Sequence, residues 1–310
     1  MHEHIARVIY YFSVHLLFAS TVASAALALT SILRASATTK YWIWVATAFN
    51  FVLPSGALFD KLWAPHLTWA RPLGVIGDPV WDITQGRTAV ILGIIWTTGA
   101  FSMLMRLISR IRKERREAKV HGGLNDRGHA SSFVTEGIPV SFGDNLPGPA
   151  VRGVLSPRIL LPTGIDRLLS QREFHAVLIH ELAHARRYDN LIRLLYEVSL
   201  CVLWFHPFIW LAGARIALYR ELSCDESVVR HSHGPALVSA LAKLAGCEQG
   251  GILQATASSH LSYRLARLSG PAQTTYRAAS LLLTSLFAIV IVAGIFQTVA
   301  HTACCFVLKR

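Results

Sequence analysis

His180-Glu181-Leu182-Ala183-His184 is the stretch of this sequence best equipped for chemistry. It lies in Gln171–Arg187, which reads as a helix. Residues four apart on a helix share a face, so both imidazoles point the same way. Two imidazoles so placed can hold one zinc ion, and Glu181 beside them can act on an attacking water. On a helix the pattern is a signature of zinc-dependent peptide hydrolysis. In a chain with 14 histidines a five-residue match also arises by chance, so the surroundings decide.

The surroundings favour a metal. Ser170 and Glu173 have the spacing of a capping box, which marks a helix start. Phe174, Val177, Leu178 and Leu182 form an apolar face. Downstream stands Glu221-Leu222-Ser223-Cys224-Asp225-Glu226. On a second helix Glu221 can supply a third ligand, and Asp225, on the same face, a carboxylate that orients a ligand histidine. Glu226 is turned about 100° from Asp225. Alone, an acidic pair of this kind is most simply a solvated face.

The elements that position these residues belong to a membrane protein. Of 310 residues, 53% are hydrophobic and only 15% charged, too apolar a balance for a soluble enzyme. Four apolar runs qualify against the roughly 20 mostly apolar residues a span needs: Val8–Leu33, Tyr41–Phe59, Thr88–Met105 and Ala278–Leu308. Ala23-Ser24-Ala25 resembles a signal cleavage site, but the apolar run continues past it, so the first run is expected to stay. The five cysteines include no Cys-x-x-Cys, which argues against a thiolate zinc site or a disulfide framework.

The net charge of +12 falls where cytoplasmic flanks would lie. Arg34–Lys40 has two positive charges and no acid, and Arg106–Lys119 has seven against two glutamates. The positive-inside rule puts both in the cytoplasm, with the N- and C-termini and the Asp60–Arg87 loop outside. The expected domains are therefore residues 1–119, three spans with a basic flank; 120–277, a cytoplasmic peptidase domain; and 278–310, a fourth span with a short tail.

A fifth run, Val198–Ala214, has 17 uncharged residues. If it crossed the membrane it would separate Glu221 from His180 and His184 by about 30 Å, whereas a shared zinc needs each at about 2 Å. His206-Pro207 interrupts the run, and proline breaks helices. The segment is thus expected to be a helical hairpin with its tip near Pro207 and arms Leu191–Phe205 and Phe208–Glu221, returning Glu221 to the level of His184. The aromatic tip (Trp204, Phe205, Phe208, Trp210) suits either the membrane interface or burial within the protein. Ahead of the zinc helix, Val120–Ser132 reads as a linker, and Ile138–Phe142, Ala150–Leu155 and Arg158–Leu161 read as strands. An edge strand there can pair with an extended substrate.

Taken together, these features resemble the integral-membrane zinc peptidases of the BlaR/MecR antirepressor family. The likeness rests on the three early spans, the basic flank, Leu160-Leu161-Pro162, and the run from His180 to Asn190. Trp204-Phe205-His206-Pro207, the Glu221–Glu226 stretch and the late fourth run complete it. The resemblance implies a multi-pass α-helical membrane protein with a cytoplasmic α+β gluzincin-type zinc metallopeptidase domain. His180, His184 and Glu221 would bind Zn2+, Glu181 would be the general base, and Asp225 would support a ligand histidine. It further implies a bacterial inner membrane, the lipid bilayer and a cytoplasmic protein substrate such as a transcriptional repressor as partners, and a possible homodimer. Direct nucleic-acid binding is not expected, because the Arg106–Lys119 run is better read as a topology anchor.

The sequence stops at Arg310, so no penicillin-binding sensor domain is expected after the fourth run. A signal would then enter through Asp60–Arg87, the spans or a partner. Two other functions remain in view: an HtpX-like quality-control protease of broad specificity, and a non-catalytic receptor, against which the intact Glu181 argues. A transition-state oxyanion also needs a donor. Tyr188, His206, Tyr219, His231 and His233 are candidates that sequence does not separate. Arg186 and Arg187 are expected to form a solvated basic face.

Overall fold

The computed structural model describes residues 2–52, 86–122, 133–144, 146–247, 254–270 and 278–288. The described residues are mostly helical with one small sheet. Its early helices are α1 (His2–Ile32), α2 (Ala37–Val52) and α3 (Gly86–Gly122). Strands β1 (Phe133–Thr135), β2 (Ile138–Gly143), β3 (Ala150–Arg152) and β4 (Arg158–Pro162) follow. Then come α4 (Ile165–Leu168), α5 (Gln171–Arg186), α6 (Asp189–Val202), α7 (Pro207–Arg230), α8 (Gly234–Cys247) and α9 (Gln254–Ser269). A short apolar helix, α10, spans Ala278–Ala288.

Among the described residues, two helices are long and apolar enough to cross a membrane, through His15–Ile32 of α1 and Val90–Arg116 of α3. On α3, Val90, Ile91, Leu92, Ile94 and Ile95 are all exposed, as lipid-facing side chains would be. The other two expected spans are described only in part. The second is helical as α2 to Val52, and the fourth as α10 to Ala288. Their remaining residues, and the Asp60–Arg87 loop, lie outside the described residues. The basic run 106–119 is not a separate segment but continues α3, whose helix takes in the first three residues of the expected linker. The rest of that linker lies outside the described residues.

The chain forms two compact units. One gathers Met1–Met105, Tyr196–Arg215 and Thr275–Arg310. Within it Tyr41, Trp44 and Phe51 of α2 are fully buried, and Trp44 Nε1 donates to Thr30 Oγ1 of α1 at 3.3 Å. The tip between α6 and α7 packs here. The His206 ring lies 3.2 Å from Ser20 Oγ and 4.9 Å from the Phe51 ring centre. Trp96 Nε1 donates to Val202 O at 2.9 Å. Trp204 lies over Gly99, where any Cβ would collide with its indole. The tip is therefore partly buried in the protein, while Phe205 and Trp210 stay exposed. The first helical arm stops at Val202, three residues sooner than expected, and Pro207 opens α7, a position where its missing N–H costs nothing.

The other unit gathers Arg106–Leu195 and Ile216–Thr274. Its sheet has the order β1-β2-β4-β3, with β2 and β4 parallel and both edges antiparallel. β1 was not expected: it is three residues joined to β2 by a tight turn at Glu136-Gly137, too short for an alternating pattern. β3 ends at Arg152 rather than Leu155. Gly153 has φ 92, and a Cβ there would strike the Ser156 carbonyl, so the strand turns where only glycine fits.

Helix α5 is the centre of this unit. Val177, Leu178, Leu182 and Ala185 pack with Val140, Ile159 and Leu161 of the sheet, while Ala176 meets Val228 of α7 and Leu237 of α8. Its start is the expected capping box: Ser170 N–H donates to Glu173 Oε2 at 2.7 Å, and Glu173 N–H to Ser170 Oγ at 3.4 Å. Glu173 also receives Lys243 Nζ at 2.7 Å and the Ser239 hydroxyl, which tie α8 to α5. The Lys243 ammonium, then the Ser239 and Ser170 donors, hold its carboxyl down at about 2 against the opposing effect of burial.

Candidate metal centre

Helix phase puts His180 and His184 one turn apart on the buried side of α5, with their Nε2 atoms 3.2 Å apart. Glu221 arrives from α7 and presents Oε2 at 3.6 Å from His180 Nε2 and 3.8 Å from His184 Nε2. The three atoms lie on a circle of radius about 2.1 Å, the length of zinc–nitrogen and zinc–oxygen bonds. One ion would reach all three with no atom displaced. The hairpin of α6 and α7 is what makes the 36 residues between His184 and Glu221 compatible with this convergence.

The outer nitrogens show why a cation suits the site. His184 Nδ1 lies 2.6 Å from Asp189 Oδ2, and His180 Nδ1 lies 3.2 Å from Asp225 Oδ1. An ionised carboxylate only accepts, so His184 Nδ1 carries the proton toward Asp189, and in both rings Nε2 is the nitrogen turned to the shared point. The His184 contact is a good hydrogen bond, whereas His180 Nδ1 is in ionic contact without hydrogen-bond geometry. The two Nε2 atoms and a carboxylate oxygen thus converge with further carboxylates behind them, an arrangement that draws positive charge, as a bound proton or as a metal ion. Burial pushes the His180 imidazole down, but the Asp225 and Glu221 carboxylates outweigh it and lift it to about 9. Burial raises the Glu221 carboxyl, and the facing His180 and His184 with Arg220 more than reverse this, to well below the usual carboxylate range. Arg220 Nε and Nη2 hold Glu221 Oε1 at 3.0 and 2.9 Å, which leaves Oε2 for the histidines.

A second group, His184, Asp189 and Cys224, also comes close together. It suits support better than metal binding. Arg187 is inserted there, donating to both Asp189 oxygens at 2.7 and 2.6 Å and to Ser223 Oγ at 2.6 Å. Burial pushes the Cys224 thiol upward, so it stays protonated and a poor ligand. Arg187 is thus not part of a solvated face. It is the C-cap of α5, turned inward to clamp α7, whereas Arg186 is exposed and pairs with Glu136.

Glu181 is buried and lines a cavity of about 630 Å³ together with His180, His184 and Glu221. Gly148–Val151, which lead into and begin the edge strand β3, form one wall. Beyond them Asn190 Nδ2 donates to Val151 O at 2.9 Å and Gly153 O at 3.1 Å, closing that end of the edge. Glu226 turns elsewhere and pairs with Arg267 at 2.9 Å.

None of the five expected oxyanion donors lines this cavity. Tyr188 is 45% exposed in the turn after α5, and His206 belongs to the other unit. Tyr219 is buried but is not among the lining residues. His231 Nδ1 pairs with Ser227 O, and His233 with His175. Sequence reading missed Asp189, Arg187 and, from α9, Arg264, which is inside the cavity wall. Asp189 follows the motif at five residues and could have been found. Nothing local in the Leu261–Leu268 pattern marks Arg264 as a site residue.

The sequence model of the BlaR1 peptidase M56 family matches residues 12–267. The methicillin resistance mecR1 protein of Staphylococcus aureus is 27% identical over 182 residues, which cover 54% of this chain and 31% of that protein. The regulatory protein BlaR1 of Bacillus licheniformis is 25% identical over 176 residues, covering 53% and 28%. The matches thus span under a third of the length of these curated relatives. With a peptidase family model covering most of the chain, both helix motifs included, the chain belongs to the BlaR1 peptidase M56 family.

Proposed function

We propose that this chain is a zinc-dependent membrane endopeptidase of gluzincin type that cuts a cytoplasmic protein, a transcriptional repressor in a signalling pathway being the substrate class. The observation that carries the reading is the convergence of His180 Nε2, His184 Nε2 and Glu221 Oε2 on one point within a cavity that Glu181 also lines. His180, His184 and Glu221 would hold the zinc, which supplies Lewis acidity toward water and the scissile carbonyl. Glu181 takes a proton from the attacking water and returns it to the leaving nitrogen. Asp189 and Asp225 keep the imidazoles in the tautomer that offers Nε2. An extended substrate lies along the Gly148–Val151 side of β3, and Asn190 closes the edge beyond it.

The membrane reading joins this site to the apolar helices. The positive-inside rule assigns the basic end of α3, and the peptidase part with it, to the cytoplasm, with three spans before it, one after it and both termini outside. Supporting it are the exposed apolar surface of α3 and the basic residues that follow on the same helix.

A substrate trap tests the function. The Glu181→Gln protein, expressed in its native cell, should retain zinc and accumulate one or a few uncut partners. The wild type should cut the same partners only with zinc present, at least about 10²-fold faster. Capture of many unrelated membrane proteins would point instead to quality control. Equal cleavage by both proteins would sink the mechanism, and binding without cleavage by the wild type would make the chain a receptor.

A further inference from the structure

We propose that Arg264 is the donor that meets the oxyanion of the tetrahedral intermediate. The inference rests on the peptidase reading above and supplies the group that the five sequence candidates do not. Arg264 comes from α9 and is nearly enclosed, its side chain 11% exposed. Its guanidinium is held as a fork. Nε donates to Asp225 Oδ2 at 2.9 Å and Nη2 to Asp225 Oδ1 at 2.8 Å. That grip fixes the plane of the group and spends one edge on Asp225.

The other edge faces the ligand atoms. Nη1 lies 3.3 Å from Glu221 Oε2, the oxygen turned toward both histidines, and Nη2 lies 3.5 Å from His180 Nε2. The donor is thus fixed beside the convergence point before any substrate arrives, which is what makes a donor effective on charge that develops only in the transition state. Two other arginines line the cavity, and both are placed for other work. Arg220 holds the far oxygen of Glu221, and Arg193 is 42% exposed and faces Glu114. Asp225 consequently has two tasks. It stands behind His180 and carries Arg264, so the ligand and the donor move as one piece.

The competing role is purely structural: Arg264 would neutralise Asp225 and Glu221 and merely preserve the metal ligands. Two inhibitors with the same side chains separate the roles. A phosphinic peptide mimics the tetrahedral centre and offers an oxygen to a donor. A thiol peptide engages the metal through sulfur and offers none. The full-length protein in detergent is compared with Arg264→Met, similar in length but uncharged, and Arg264→Lys, which keeps the charge without the fork. Zinc content, zinc affinity, both inhibitor affinities, and kcat and KM on a peptide spanning the bond cut in the trapped partner are measured.

For Arg264→Met, zinc content and thiol-peptide affinity should stay within a few-fold. Phosphinic-peptide affinity and kcat should each fall about 10²–10³-fold with little change in KM. Arg264→Lys should be intermediate, and it decides the matter if Arg264→Met does not fold. Equal loss of both inhibitors together with zinc, or an unchanged phosphinic affinity, overturns the proposal. A zinc-loaded wild type that neither cleaves nor binds the phosphinic peptide sinks the peptidase reading itself, an outcome distinct from failure of the Arg264 variants alone.

Discussion

His184 Nδ1 and Asp189 Oδ2 lie 2.6 Å apart, so the imidazole is oriented by a carboxylate only five residues along the chain. Arg187 grips that carboxylate from the other side. The Arg187 and His184 interactions more than offset burial and hold the Asp189 carboxyl at about 2. Asp189→Ala should therefore weaken zinc binding about 10–100-fold, measured against a competing chelator. Arg187→Met should weaken it less, because Asp189 itself remains. An Asp189→Ala protein with wild-type zinc affinity would show that the orientation of His184 comes from elsewhere.

The acidic cluster on α7 gives a second prediction. Glu221 faces the histidines, and Glu226 is paired with Arg267. Glu221→Ala should lose tightly bound zinc, and Glu226→Ala should bind it normally. Asp225→Asn should fall between them, roughly 10–100-fold weaker than wild type. Metal loss in Glu226→Ala with retention in Glu221→Ala would refute the ligand assignment.

The start of α5 carries a pH dependence. Glu173 is ionised in the fold down to about pH 2, below its ordinary value of 4.5. A carboxyl depressed by folding contributes stability above its unfolded pKa and loses it as pH falls through the folded one. Glu173→Gln should therefore lower the melting temperature at pH 7, and the difference should shrink progressively between about pH 4.5 and 2. A difference constant across that window would mean that the charge on Glu173 does not matter. Ser170→Ala removes the other half of the box and should cost about 1 kcal/mol with only a small share of that pH dependence, because its hydroxyl is the least of the donors that hold Glu173 down.

Topology is tested by labelling. Single cysteines placed in Val120–Ser132 and in Asp60–Arg87 of an otherwise cysteine-free protein are exposed to an impermeant thiol reagent on intact spheroplasts. The Asp60–Arg87 positions should react, and those in Val120–Ser132 only after lysis. The reverse pattern would invert the orientation.

Local order alone determined a good part of this protein. The helix carrying His180, Glu181 and His184, and its Ser170–Glu173 cap, follow from spacings of three and four residues, which a helix converts directly into neighbours. The break at Pro207, and so the turn between α6 and α7, follows from a ring that cannot continue a helix. Tertiary structure decided the rest. Arg187 reads as one of two adjacent surface arginines, and only the packing of α5 against α7 turns it onto Asp189 and Ser223. Arg264 is 39 residues from Asp225 and meets it because α9 folds back over the site. The extent of β3 was set by Gly153 and the Ser156 carbonyl, a clash that no strand propensity encodes. Charge pairs between distant segments leave no periodic trace in the chain, because each partner is chosen by where the backbone brings it.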